Sequence, residues 1–210
     1  MRTIDAKRVE HHAIAHDVAA VWRGGGIVIF PTDTVYGIGC DPANETAVER
    51  IYAAKGRSRS KPLSLHFGSV FELQDYAPGN ALVRLAAEAF LPGPLTLIVE
   101  RPASIGAFVT GDLPTIGLRA PNHPLCSLLL AVGGPIAATS ANPSGRPAYI
   151  GTGAVTELPA ADVFVDDGPT PVGAESTVID VTGTAPRLVR EGAIGTAMLE
   201  MVYGRVEGAR

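Results

Sequence analysis

Short apolar β-runs alternate with helix-period stripes along the whole chain, with no linker-like break, and that alternation limits the fold to an α/β architecture. Ile14, Val18, Val21 and Trp22 recur at helical spacing, and Gly24, Gly25 and Gly26 end that helix. Residues 27–30 form a short apolar strand closed by Pro31. Asn44 is a good N-cap for a helix carrying Val48, Ile51 and Tyr52, with Gly56 as its stop. Leu82, Leu85, Ala86, Ala89 and Phe90 make a third stripe before Pro92, and Pro124 opens a fourth with Leu125, Leu128, Leu129 and Val132. Strands are expected at 95–99, 115–120, 135–139, 163–165, 177–181 and 187–190. The later ones follow one another without long helices between them, so the expected sheet is mixed rather than purely parallel.

With 210 residues and 46% hydrophobic content the chain has enough apolar material for a proper core. No apolar run approaches the ~20 residues that span a bilayer, and the N-terminal residues lack the apolar core of a secretion signal. Cys40 and Cys126 form no CxxC pair, which points to a reducing compartment and to two packed thiols. A cytoplasmic location is expected. A phosphate loop of the GxxxxGK[ST] type, HExxH and GxSxG are all absent, and Gly37-Ile-Gly39 lacks the glycine that would complete a dinucleotide fingerprint.

Charge is distributed unevenly. The protein carries a net charge of −4, yet between Glu49 and Glu72 no acidic residue occurs while Arg50, Lys55, Arg57, Arg59 and Lys61 do. From Lys55 to Lys61 a cation stands at every second position, with Gly or Ser between. In extended chain, at roughly 3.3 Å per residue, four cations line one edge over about 20 Å, a spacing suited to a polyphosphate. A solvated basic loop has the same pattern.

Other segments offer pocket chemistry. Residues 30–37 follow an apolar strand with two hydroxyls, a carboxylate and a phenol, at the kind of strand-to-loop junction where α/β proteins place ligands. On strand 115–120, Ile116 and Leu118 face one way and Thr115, Gly117 and Arg119 the other; Arg119 then pairs either with a ligand anion or with a protein carboxylate. His66, on a strand, shares the face of Ser64, which fits a ligand contact and a structural histidine equally. His123 precedes Pro124 at a helix start, as a local cap. His11, His12 and His16 belong to a solvated surface. Residues 138–147 and 173–177 are turns rich in hydroxyl and amide groups beside strands.

The order of these segments carries more than any one of them. Pro31-Thr-Asp-Thr-Val-Tyr-Gly37, Lys55-Gly-Arg57 with Lys61-Pro-Leu-Ser64, Pro92-Gly-Pro-Leu-Thr96, Gly117-Leu-Arg119, Ser140-Ala-Asn-Pro-Ser-Gly145, Glu175-Ser-Thr-Val178 and Arg190-Glu-Gly-Ala193 resemble, in sequence, the YrdC/Sua5 family of L-threonylcarbamoyladenylate synthases. The resemblance runs over about residues 14–195. It implies a single YrdC-like domain over residues 1–210, with a twisted mixed sheet and flanking helices around a large, positively charged cavity. It implies a nucleotidyltransferase that makes threonylcarbamoyl-AMP and pyrophosphate from L-threonine, bicarbonate (or CO2) and ATP, with Mg2+ on the ATP phosphates and no protein metal ligand assigned. The product serves threonylcarbamoyladenosine formation next to the tRNA anticodon, by hand-over to a tRNA threonylcarbamoyl transferase complex; weak RNA binding is a further partner.

By the same resemblance, Lys55 and Arg57 are the catalytic, charge-stabilising pair. Lys55, Arg57, Lys61, Thr115, Ser140 and Arg190 contact ATP, while Thr34, His66, Arg119, Asn142 and Ser176 line the threonine pocket. Arg59 has no assigned role. Leu91 stands where the family often has an aromatic residue, and residues 148–153 depart from its usual run. The sequence stops at Arg210, which fits a short form without a C-terminal gating arm. Two other readings are open: an RNA-binding module, against which the pI of about 5.7 and the lack of a second basic run weigh, and a paralogue with another carbamoyl acceptor.

Overall fold

The computed structural model describes residues 1–208. In chain order the elements are β1 (Arg2–Asp5), α1 (His11–Arg23), β2 (Val28–Phe30), β3 (Gly37–Cys40), α2 (Glu45–Lys55), β4 (Ser64–His66), α3 (Leu73–Tyr76) and α4 (Ala81–Phe90). There follow β5 (Leu95–Glu100), α5 (Ala107–Thr110), β6 (Thr115–Arg119), α6 (Pro124–Gly133), β7 (Ile136–Ser140), β8 (Val163–Asp166), β9 (Thr177–Asp180), β10 (Arg187–Arg190) and α7 (Thr196–Tyr203). The local signals act as expected. Asn44 Oδ1 accepts the Ala47 N–H at 3.0 Å to start α2, and Gly56 ends it in the left-handed region at φ 58°. His123 caps α6, its ring nitrogen accepting the Cys126 N–H at 3.4 Å.

The ten strands among the described residues join one mixed sheet in the order β1-β8-β2-β3-β7-β4-β6-β5-β9-β10. β1–β8, β2–β8, β4–β6 and β5–β9 are parallel; the other neighbours are antiparallel. β1 and β3 were not expected from the sequence. Arg2–Asp5 is too polar to read as a strand, and Gly37 and Gly39 hide β3 because they leave it few side chains. Both glycines are steric necessities: a Cβ on Gly37 would meet the Phe30 ring at 2.7 Å, and one on Gly39 the Ile136 side chain at 2.8 Å.

Period-2 alternation divides the core between the two faces. Ile29, Ile38, Leu65, Leu97, Leu118 and Ile179 pack with α2 and its neighbours. Val28, Phe30, Ile136 and Ala138 point the other way, against Ile14, Val18 and Trp22 of α1 and Leu125, Leu129 and Leu130 of α6. Trp22 donates from Nε1 to the Gly39 carbonyl at 3.1 Å, so its buried polar atom is satisfied. Both cysteines are free and buried.

The α1–α6 layer covers only the half of its face made by β1, β8, β2, β3 and β7. Over β4, β6, β5 and β9 the same face carries Ser64, His66, Gly117, Arg119, Thr96, Ile98 and Val178, each next in sequence to a core residue of the opposite face. That open half is the floor of the main cavity. Among the described residues no helix is long and apolar enough to cross a membrane.

Leu65 lies at the middle of β4 with no exposed surface, and its two neighbours in sequence both belong to or border the cavity side. Replacing it with Ala leaves a void in the shared core, and the expected loss is about 2–5 kcal/mol. Urea unfolding of the Leu65→Ala variant checks this; an unchanged midpoint would contradict the placement of Leu65 in the core.

Candidate functional site

The cavity has a volume of about 660 Å³, within the range usual for small-molecule sites. Gly117 keeps its floor open, since a Cβ there would come within 2.7 Å of Ser64 Oγ and 3.0 Å of the Thr96 methyl. Six cationic side chains line it (Lys55, Arg57, Lys61, Arg119, Arg146 and Arg190), against one carboxylate, Glu175.

The run 55–61 does not extend along an edge. Gly56 turns the chain in the left-handed region, the Arg57 N–H bonds back to the Tyr52 carbonyl at 2.9 Å, and the Lys61 N–H bonds to the Ser58 carbonyl at 3.0 Å. The curl brings Arg57 and Lys61 to the cavity and turns Arg59 away. Arg59 pairs with Glu49, lies 4.3 Å over the Tyr52 ring and donates to the Phe108 carbonyl at 3.2 Å. It fastens the loop to α2 and α5 rather than serving the site.

Most of the cations are tied down. Lys55, in the last turn of α2, donates to the Ser140 carbonyl, the Asn142 carbonyl at 2.6 Å and Asn142 Oδ1 at 3.1 Å, which matches the three donors of an ammonium. Ser140 Oγ donates to the same Oδ1 at 2.6 Å. Burial, aided by the Arg57 charge and opposed by Glu175, pulls the Lys55 pKa down to about 7. Arg57 donates to the Lys61 and Pro62 carbonyls at 2.9 and 3.0 Å. Arg190 holds the Ser176 carbonyl at 2.8 Å and Glu175 Oε2 at 2.9 Å.

At the sheet end lies a buried charge pair. Arg119 Nη2 donates to Asp33 Oδ1 at 2.6 Å and to Thr34 Oγ1 at 2.7 Å, with the Arg119 and Asp33 side chains each only 5% exposed. The two readings of Arg119 thus meet: it pairs with a protein carboxylate and still lines the cavity. His66, opposite Arg119 in the parallel β4–β6 register, stands edge-on to Phe30 at 6.3 Å. Burial, with the Arg119 charge adding to it, lowers its pKa to about 3 and keeps it neutral. Asp33 Oδ2, His66 Nδ1 and Arg119 Nε are buried with no hydrogen-bond partner. Ser176 Oγ and Thr96 Oγ1 share a hydrogen bond at 2.9 Å beside them.

Nine of the residues singled out from sequence therefore share the cavity: Lys55, Arg57, Lys61, His66, Arg119, Ser140, Asn142, Ser176 and Arg190. Two stand outside its lining. Thr34 is fully buried beneath it and reaches it through Arg119. Thr115 begins β6 opposite Glu100, four residues before Arg119. Sequence reasoning missed Thr96, which alternation between Leu95 and Leu97 could have exposed, and Arg146, whose turn gives no direction to its side chain. The Tyr36 phenol is used structurally, donating to the Gly168 carbonyl at 2.8 Å. Residues 148–153 are tied to the site's back wall, where the Tyr36 N–H bonds to the Tyr149 carbonyl at 2.8 Å.

His66 also makes stability depend on pH. Between its ordinary pKa of 6.5 and about 3 the unfolded chain takes up a proton that the folded chain refuses, so stability falls as pH drops through that window. The slope from this group is at most about 1.4 kcal/mol per pH unit. Thermal melts of wild type and His66→Gln from pH 7 to about 4 should show a shallower acid slope in the variant; identical slopes would refute a neutral buried His66.

Comparison with known proteins places this geometry. Residues 20–192 match the Sua5/YciO/YrdC family, described as "Telomere recombination", a span that holds every lining residue of the cavity. The chain is 39% identical over 197 residues to "Threonylcarbamoyl-AMP synthase" of Bacillus subtilis, covering 90% of this chain and 56% of that protein. The crystal structure of P. abyssi Sua5 complexed with L-threonine superposes with a TM-score of 0.89 at 36% identity, over 98% of this chain and 62% of that one. E. coli YciO, at 24% identity and a TM-score of 0.80, shares the fold over 94% of this chain and 97% of its own. The chain spans little more than half the length of the curated B. subtilis and P. abyssi relatives. With four fifths of its length matched and its fold shared, the chain belongs to the Sua5/YciO/YrdC family.

Proposed function

We propose that this protein makes L-threonylcarbamoyl-AMP and pyrophosphate from L-threonine, bicarbonate or CO2, and ATP. The observation that carries the reading is one cavity with a buried guanidinium at its sheet end and further cations from the end of α2, the loops after α2 and β7, and the end of β10. A P. abyssi relative of the same fold was solved with L-threonine, and relatives across bacteria, archaea and rat bear the name threonylcarbamoyl-AMP synthase, which supports the assignment. Lys55 and Arg119, 3% and 4% exposed, lie too deep for a duplex backbone, which favours small ligands over an RNA-binding role.

In this reading the threonine amine adds to CO2, losing a proton, and gives a carbamate. A carbamate oxygen then attacks the α-phosphorus of ATP as the bond to the leaving pyrophosphate breaks. The protein aligns two anions and stabilises the charge developing at phosphorus, and no covalent nucleophile is needed. Arg119 takes the threonine carboxylate, with neutral His66 and the Ser176–Thr96 hydroxyl pair beside it. Arg57 and Lys61 face the triphosphate. Lys55 serves it through the 140–142 loop, whose Ser140 and Asn142 it holds in place. Arg190 and Ser140 flank the nucleotide.

Mg2+ bound to ATP would neutralise part of the phosphate charge. The cavity lining would offer Mg2+ one carboxylate, Glu175, which Arg190 already holds, so the phosphate oxygens of ATP would be its main ligands. The product would pass to a tRNA threonylcarbamoyl transferase complex for modification of the adenosine next to the anticodon. Any RNA contact would be weak.

Mass spectrometry of the purified protein with ATP, Mg2+, bicarbonate, threonine and pyrophosphatase tests the reading. Threonylcarbamoyl-AMP is expected only in the complete mixture; its absence from that mixture overturns the assignment. Within the active protein, Arg119→Ala should raise the threonine KM by about 10–100-fold, the worth of a charge-assisted bond, with little change for ATP. Lys61→Ala should show the reverse. A parallel shift of both constants in Arg119→Ala would remove Arg119 from the carboxylate site.

A further inference from the structure

Asp33 has no part in the roles described so far, yet it is the group most intimately joined to Arg119. The two side chains are each 5% exposed, and Oδ1 accepts from Nη2 at 2.6 Å. Burial works against the guanidinium charge, and Asp33 is the foremost counterweight. Asp33 does not line the cavity; it stands behind Arg119 and reaches a ligand only through its field and through the orientation it imposes. In a poorly screened interior that field is strong at such distances.

A lone buried arginine attracts any small anion. An arginine already neutralised by a carboxylate attracts a further carboxylate weakly, unless the ligand brings its own positive charge. We propose that Asp33 is the specificity-determining residue of the amino-acid end: by pairing with Arg119 it makes that end accept a zwitterionic α-amino acid and reject simple carboxylates and inorganic anions. The assignment rests on the reading of the cavity as a threonine site. It also gives the cavity a reason to keep two kinds of anion apart, since phosphates would otherwise compete for Arg119.

Titration calorimetry with L-threonine and with 3-hydroxybutanoate, the same molecule without its amine, tests the assignment. Wild-type protein should bind threonine at least about tenfold more tightly, and Asp33→Asn should lower that preference by about tenfold or more. Thr34→Val removes the other partner of Arg119 Nη2 without touching charge; it should weaken both ligands alike and leave their ratio unchanged. An Asp33→Asn ratio equal to that of wild type while threonine still binds overturns the assignment alone. Wild-type protein that binds 3-hydroxybutanoate as tightly as threonine overturns it as well, and needs no folded variant. Wild-type protein that binds neither overturns the reading of the cavity.

Discussion

Lys55 joins parts of the chain far apart in sequence. Its ammonium, at the end of α2, is received by the carbonyls of Ser140 and Asn142 and by the Asn142 side chain. The Lys55 carbonyl also accepts the Ser144 N–H at 2.8 Å, so side chain and backbone together fix the loop after β7 beside the cationic turn after α2. The same interaction answers the main physical problem of the site: six cations around one cavity repel each other and are partly stripped of water. Backbone carbonyls receive Lys55, Arg57 and Arg190, and Asp33 receives Arg119. The positive charge is thereby held in place by the protein's own groups, which lowers the ordering cost of binding a polyanion and suits a reaction that needs charge aimed in advance.

The cavity has a simple architectural origin. Helices α1 and α6 cover half of one sheet face, and the other half stays bare over β4, β6, β5 and β9. On those strands every second residue is committed to the opposite core, so the residues between them are free to be polar: Ser64 and His66, Gly117 and Arg119, Thr96 beside Leu95 and Leu97. Fold and site are two readings of one alternation.

That alternation explains what was legible in the sequence. The opposite facing of Ile116 and Leu118 against Gly117 and Arg119, and the sharing of a face by Ser64 and His66, follow from spacing alone. The caps of α2 at Asn44 and Gly56 are equally local. What could not be read depends on long-range partners. The run from Lys55 to Lys61 curls through Gly56 and the backbone bonds around it, and in that curl Arg59 meets Glu49 and Tyr52 of the preceding helix. Nothing in the spacing of the cations announces that. Which carboxylate meets Arg119 is settled 86 positions away, and β1 becomes a strand only because β8 offers it a partner. The ordered motifs identified the family where single motifs were ambiguous, because each alone is compatible with a well-capped turn.

The protein's own carbonyls and carboxylates, not its substrates, hold the cations in place. A crystal structure with L-threonine and a non-hydrolysable ATP analogue tests this most directly. Lys55 is expected to stay on Ser140 and Asn142, Arg119 to stay on Asp33, and the backbone of residues 55–61 and 140–146 to move by less than about 1 Å. Release of Lys55 from the 140–142 loop to the phosphates, with rearrangement of both loops, would contradict it.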